Sequence, residues 1–293
     1  MIGRVTQQTM QRSTLANLQL NLAKMSSLQE QMSSGKRITK PSDDPGGIST
    51  AMSMRSEKSA YTQYSRNIDD GLGWLSSADT ALQSAVSQLR GARDLTVQSG
   101  SGALNASGRE ALATEIESVR DGLLAIANTQ HQGRNVFAGT SDSAVAFDAS
   151  YAWTGTAGGS VDRRVSPDTT VRADVDGSAA FGTGSSSVFA LLDSIAADIR
   201  TGVDPGPRLA EIDVRMDTML GELSGVGSRT NRMTTTQGVI ENRLLDLQIS
   251  ISDIEDVDLT AAIVELQSQE VAYQGALGAT ARVLQPTLLD YLQ

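Results

Sequence analysis

The two ends of the chain carry matching half-seams. Residues 1–40 hold Arg4, Arg12, Lys24, Lys36, Arg37 and Lys40 against one acid, Glu30, a balance of +5. Residues 241–293 hold nine acids against Arg243 and Arg282, a balance of −7. In both segments apolar residues recur at alternating steps of three and four, the rhythm that keeps one face of a helix turned toward a partner. At the N-terminus these are Leu15, Leu18, Leu22, Met25 and Met32, with Gln29 interrupting. At the C-terminus Leu259, Ile263, Leu266, Tyr273, Leu277, Leu284 and Tyr291 share one heptad frame. Segments so far apart, both amphipathic and opposite in charge, are suited to lie together. Leu15 to Met32 and Leu259 to Leu284 on these stripes are the candidate assembly interface. The pattern points to a rod that assembles with copies of itself, not to an enzyme with a pocket.

Composition agrees. Aromatic residues are only 4% of the 293, and the apolar content is mostly Ala, Leu, Ile and Val, the residues of thin helix seams. A net charge of −10 argues against nucleic acid or an anionic membrane as partner, since both require concentrated positive charge. The basic N-terminal residues are interleaved with a leucine seam and do not form a basic arm. The absence of cysteine excludes disulfides, thiolate metal sites and a Cys nucleophile. No apolar run of signal-peptide or membrane-span type is visible, so the expectation is a cytoplasmic chain or one exported without a cleavable signal peptide.

Along the chain, the spacing predicts a first helix over 5–34, stopped by Ser33-Ser34-Gly35. A turn follows over 35–47. Asp44 as N-cap and Pro45 as first helical residue then open a second helix that runs to about 98. Its stripe is Ile68, Leu72, Leu75, Leu82, Val86 and Leu89, broken by Asp79. A loop over 100–108 leads to a third helix, 109–130, with Leu112, Ile116, Val119, Leu123 and Ile126 on one face. Composition then shifts. Residues 138–187 are rich in Gly, Ser and Thr, and leucine is absent between Leu124 and Leu191. Alternations at Val145/Phe147, Tyr151/Trp153 and Val171/Ala173/Val175, separated by Gly158-Gly159, Ser166-Pro167-Asp168 and Asp176-Gly177, predict short strands and turns. Helix returns at 187–200. A long helix, about 70 Å at 1.5 Å per residue, covers 208–255 if the Gly225-Val226-Gly227-Ser228 stretch does not break it. The last helix begins near Leu259, and Pro286 should kink or end it.

The expected fold is mainly α: an elongated helical bundle or coiled coil built from N- and C-terminal segments, with a small β-rich inserted domain. Its parts are terminal coiled-coil segments at 1–45 and 256–293, a helical bundle at 46–137 and 188–255, and the insertion at 138–187.

No grouping carries catalytic, cofactor or metal chemistry. His131 is the single histidine, which removes every metal site or triad needing two, and it reads as a hydrogen-bonding loop residue. The acids Asp253, Glu255, Asp256 and Asp258 miss the EF-hand pattern, because the sixth and twelfth positions from Asp253 are Asp258 and Val264. They read as a solvated junction able to face the basic N-terminus. The Gly-rich stretches 100–108 and 155–159 precede no Gly-Lys-Ser/Thr and follow no Rossmann strand.

The stretches LQEQMSSGKRITKPSDDPGG (28–47), SRNIDDGLGWLSSADTALQSAVSQLRGARDLTVQ (65–98) and DLTAAIVELQSQEVAYQGALGATARVLQPTLLDYL (258–292) resemble the terminal signatures of flagellins and flagellar hook-associated proteins. Within that superfamily, Pro41-Ser42-Asp43-Asp44-Pro45, Trp74-Leu75, GRNVFAGT (133–140) and the ending Asp290-Tyr291-Leu292-Gln293 are more similar to the hook–filament junction members than to flagellin. Asn135 stands where an aromatic is common. The resemblance implies an inner coiled coil of termini, a middle bundle and an outward β insertion. It implies an extracellular structural subunit of the bacterial flagellum, serving motility and assembled as a ring. A hook-associated protein would lie on the hook side and flagellin on the filament side. It also implies type III export in an unfolded state, with an export chaperone at the C-terminal helix. Flagellin itself is the alternative role, and an adhesin carried by 138–187 a third.

A single amphipathic helix with this little apolar area is marginal alone. In a dilute monomer the first forty residues are therefore expected to be disordered and to fold on assembly. Slow amide exchange across them in the monomer would refute this.

Overall fold

The computed structural model describes residues 2–100 and 104–283, apart from the side chains of residues 2–8, 10, 11, 282 and 283. Leu284, Pro286 and Tyr291 of the sequence stripe lie outside the described residues. Chain order is α1 (Ile2–Ser34), α2 (Pro45–Ser99), α3 (Ala106–Ala127), β1 (Gln130–His131), β2 (Arg134–Asn135), β3 (Asp162–Ser166), β4 (Thr169–Arg172), α4 (Gly177–Phe181), α5 (Val188–Thr201), α6 (Leu209–Glu255) and α7 (Leu259–Val283). The class is mainly α, with two small antiparallel sheets, β1–β2 and β3–β4, among the described residues. Contacts divide the chain into two units. One takes the two ends, up to Ser59 and from Leu244; the other takes Ala60–Arg243.

Local signals set most boundaries. Asp44 caps α2, its Oδ1 accepting from Gly47 N at 2.9 Å. Asn105 caps α3 through Gly108 N at 2.8 Å, which starts that helix three residues before the expected point. Ser187 caps α5 through Ala190 N. The glycines at 225 and 227 leave α6 unbroken, because tertiary packing along its seam outweighs about 1 kcal/mol of propensity per glycine.

In the 60–243 unit, α2 presents two buried heptad rows. Ile68, Leu75, Leu82, Leu89 and Thr96 form one; Gly71, Ala78, Ala85 and Ala92 form the other. Leu72 and Asp79, on the expected stripe, are only partly covered, and the small row takes the seam instead. Small side chains let helices approach closely: a Cβ at Gly71 would sit 2.7 Å from Met233 Cε of α6. α6 answers with one buried residue every seventh position, Ile212, Met219, Val226, Met233 and Ile240. The pair runs antiparallel, since Arg93 Nε meets Asp213 Oδ1 at 2.7 Å while Gln237 Nε2 meets Asp69 Oδ1 at 2.9 Å. α3 packs on α5, which buries Val188, Phe189, Leu192, Ile195, Ala196 and Ile199.

The segment between α3 and α5 has its own core. All four phenylalanines of the chain meet there: Phe137 and Phe181 at 5.1 Å, Phe147 and Phe189 at 5.3 Å, Phe181 and Phe189 at 6.0 Å between centroids. The phenylalanines thus form one concentrated cluster, each ring contributing roughly 1.5–3 kcal/mol by burial. The expected strands are only partly present. Phe147 and Trp153 form one isolated bridge, and Val171 lies in β4. Asp176-Gly177 does not make a turn: Asp176 Oδ1 caps α4, accepting from Ser178 N at 2.9 Å. Ser166-Pro167-Asp168 is the β3–β4 turn. Tyr151 holds φ +63°, a costly conformation for a residue with a Cβ. Its hydroxyl donates to Asp193 Oδ2 at 2.7 Å and its ring lies 5.5 Å from Phe189, contacts that fix it there.

Phe181→Ala should cost this unit about 3–5 kcal/mol. Trp153, whose indole N–H donates to Phe137 O at 2.8 Å, reports the loss as a shifted fluorescence midpoint in denaturant.

Candidate assembly surface

The unit formed by the chain ends is built on α1 and α7. They run antiparallel, with Lys36 opposite Asp256 and Asn21 Oδ1 accepting from Gln269 Nε2 at 3.4 Å. In this structure the two ends of the chain pair with each other. Covered positions on α1 fall at Thr14, Leu18, Asn21, Met25, Leu28 and Met32, with Gln31 partly covered beside the last; those on α7 fall at Ala262, Leu266, Gln269, Tyr273, Ala276 and Thr280. Apart from Gln31, each set keeps an unbroken four-three rhythm. Only Leu18 and Ala262 of these twelve are buried, so the seam is thin.

The structure splits the sequence stripes. Leu18, Met25 and Met32 of α1, with Leu266 and Tyr273 of α7, line the internal seam. Leu15, Leu22, Leu259, Ile263 and Leu277 remain 58%, 46%, 51%, 43% and 44% exposed. Two faces thus lie within one broad apolar band: one closes the chain on itself and one stays open. Sequence reasoning missed Thr14, Asn21, Ala262, Gln269, Ala276 and Thr280, because polar and small residues give no hydrophobic signal, and Leu28, because the sequence stripe is counted through Gln29. Only a fixed helix phase reveals them. α7 also carries just three charged residues, Glu265, Glu270 and Arg282, and so is apolar on more than one side.

The basic and acidic segments noted in the sequence meet at the base of this pair. Gly35, at φ +69°, ends α1 in the left-handed conformation that glycine adopts without strain. Arg37 N donates to Glu255 O at 2.6 Å and Val257 N to Gly35 O at 3.1 Å. The Glu255 side chain is 4% exposed; Arg55 NH2 reaches its Oε2 at 2.6 Å and Lys36 Nζ lies 3.7 Å from the same oxygen. A carboxylate taken out of water needs such partners. Lys36 also donates to Asp256 Oδ1, and Arg37 NH2 to Ile254 O at 2.7 Å. Asp43 Oδ2 gathers Thr39 N at 3.1 Å and Lys40 N at 2.8 Å, shaping the loop before α2. Asp258 caps α7 through Thr260 N at 2.9 Å.

Outside this surface, His131 lies in β1 against Trp74, centroids 5.5 Å apart. Ser77 Oγ lies 3.0 Å from Gly73 O and 2.9 Å from His131 Nδ1. Among the described residues no cluster of three His, Cys, Asp or Glu is placed to hold a metal, and no helix is long and apolar enough to cross a membrane.

Comparison with known proteins agrees with this geometry. The model of the bacterial flagellin N-terminal helical region matches residues 5–142, and that of the bacterial flagellin C-terminal helical region matches 209–292. The flagellar hook-associated protein 3 of Salmonella typhimurium is 28% identical over 301 residues, covering 93% of this chain and 94% of that protein. A flagellar hook-associated protein structure from Vibrio parahaemolyticus superposes with a TM-score of 0.67 at 24% identity, over 73% of this chain and 100% of that one. The flagellar junction protein FlgL of Legionella pneumophila gives 0.58 at 14% identity, over 71% and 100%.

The junction should respond to pH at both extremes. The hydrogen bond from Lys36, and then that from Ser252, hold the Asp256 carboxyl below the usual aspartate range. The backbone N–H groups of Lys40 and Thr39 do the same for Asp43. The bond to Asp256 raises the Lys36 ammonium. Depressed carboxylates contribute stability above their unfolded value, about 3.9, and lose it as pH falls through the folded value. The raised lysine contributes below about 10.4 and loses it as pH rises through its folded value. Amide protection factors at Arg37 and Val257 should be flat from about pH 5 to 9 and fall on either side.

Proposed function

Because the chain belongs to the flagellin superfamily, we propose that it is a structural subunit of the bacterial flagellum that joins hook to filament by packing of its terminal helices. The observation that carries this reading is the open half of the apolar band, Leu15, Leu22, Leu259, Ile263 and Leu277. Water is a poor solvent for such a row, and burial against neighbours yields roughly 25 cal/mol per Å² before ordering costs. A helix apolar on several sides, as α7 is, belongs among other helices. The full-length relative named flagellar hook-associated protein 3 supports the junction role over that of filament subunit.

The same reading extends to the rest of the molecule. The segments 1–45 and 256–293 are the parts that complete their fold on assembly, and their thin internal seam is the reason. The bundle residues 46–137 and 188–255 support them, and 138–187 is the inserted domain. Copies associate side by side in a ring, with a hook-associated protein on one side and flagellin on the other. The chain works outside the cell, leaves it unfolded through type III export, and meets an export chaperone at its C-terminal helix. Marginal terminal helices suit that route, since little structure must be undone. Its work is mechanical, a reading supported by its likeness to flagellar structural proteins.

Ile263→Asp with Leu277→Asp should abolish filament attachment while Trp fluorescence of the 60–243 unit stays that of the parent. Immunogold labelling of intact flagella should place the parent at the hook–filament boundary alone. Label along the whole filament would assign it to flagellin, and normal filament growth on the double variant would remove the assembly role from this face.

A further inference from the structure

The internal seam holds its phase over a thin strip. It buries one residue on each helix, and Thr14, Asn21, Gln269 and Thr280 sit among its covered positions. Rotating α1 by one residue would take Leu18, Met25, Leu28 and Met32 off the seam and bring in Leu15 and Leu22, so the apolar residues favour the observed phase, but of these four only Leu18 is buried. A contact outside the seam is needed to hold that phase firmly.

The choice is available at the base. Glu255 is the last residue of α6 and is 4% exposed, while its partners Arg55 and Lys36 are half in water, with side chains 55% and 42% exposed. The buried carboxylate pins its own backbone, and the carbonyl of that same residue accepts from Arg37 N at 2.6 Å and from Ile38 N at 3.5 Å. Three residues separate the end of α6 from the start of α7. One residue, Gly35, separates the end of α1 from the Lys36–Asp256 bridge. The C-terminal end of α1 and the start of α7 are therefore both tied to the backbone around Glu255. From there the four-three count runs Met32, Leu28, Met25, Asn21, Leu18 along α1 and Ala262, Leu266, Gln269, Tyr273 along α7.

We propose that Glu255, held by Arg55, is the positioning residue that sets the phase of the α1–α7 pair and so decides which apolar face is offered to a neighbouring subunit. The charge matters because of burial. An exposed ion pair contributes little, but a desolvated carboxylate admits few backbone arrangements other than the one that supplies its cations. Glutamine at 255 keeps the shape and an acceptor oxygen but removes that demand. The consequence for assembly rests on the junction role proposed above. The positional effect belongs to the isolated chain and can fail or stand separately.

The chain has no cysteine, so nitroxide labels can be placed uniquely at Ala23→Cys and Ser268→Cys, both exposed. Electron–electron distance measurement on the full-length monomer then reads the population of the paired state against separated helices. Trp74 and Trp153 fluorescence reports that the 60–243 unit is intact. Glu255→Gln should lower the short-distance population at least threefold. Arg55→Met should do the same, and the double variant should be no worse than either single one, because the two act through each other. Arg55→Lys should recover at least half of the parent population. An unchanged short-distance population in Glu255→Gln overturns the proposal. Losses that multiply in the double variant overturn it too, since Glu255 and Arg55 would then be independent packing residues.

Discussion

A long helix in water must find apolar partners along its whole length, because a two-helix seam removes only a narrow strip of each from solvent. In the 60–243 unit that demand is met: α2 offers paired rows of large and small residues, α6 fits a side chain into them every second turn, and α3 and α5 cover what remains. At the chain ends it is not met. Among the described residues α1 and α7 pair with one another, and the strip they share is thin. The role proposed for the molecule follows from that shortage.

Two kinds of core coexist. The helical one is made of Leu, Ile and Ala at close spacing, where alanine and glycine rows allow backbones to approach. The inserted one is a knot of four phenylalanines with a hydrogen-bonded Trp153, compact because rings fill volume that short strands cannot. Buried Asp174 ties the insertion's own loops, accepting from Val161 N at 2.8 Å and from Arg172 Nε at 2.9 Å. Arg229 of α6 donates to its carbonyl at 2.7 Å. The insertion is thus anchored within its unit by aromatic packing and a satisfied buried charge.

Charge acts differently at the two levels. Surface pairs such as those of Arg200 with Glu110 and Glu117 decorate the α3–α5 contact and, screened by water, contribute little. The junction of Lys36, Arg37 and Arg55 with Glu255 and Asp256 differs because one member is buried and because backbone hydrogen bonds share the same residues. There, electrostatics set geometry more than stability. Opposite charge at the chain ends, visible as a bulk imbalance of +5 against −7, resolves into a few specific contacts at the base of the helix pair and not into a ladder along it.

The sequence by itself determined the helices, their caps and the broad apolar bands, because these depend on neighbours three and four residues away: Asp44 before Pro45, Ser187 before Val188, the heptads of the C-terminus. It also carried the family signature in the residues around Gly35 and Trp74. It could not show that Gly71, Ala78, Ala85 and Ala92 form a seam, that four scattered phenylalanines meet, or that His131 lies against Trp74 and Ser77. Nor could it divide Leu18 and Met25 from Leu15 and Leu22. Those outcomes depend on which distant segment arrives beside each residue. A one-residue rotation of a helix turns its side chains by 100°, and which rotation is adopted depends on contacts between segments as far apart as Glu255 and Arg55, two hundred positions along the chain.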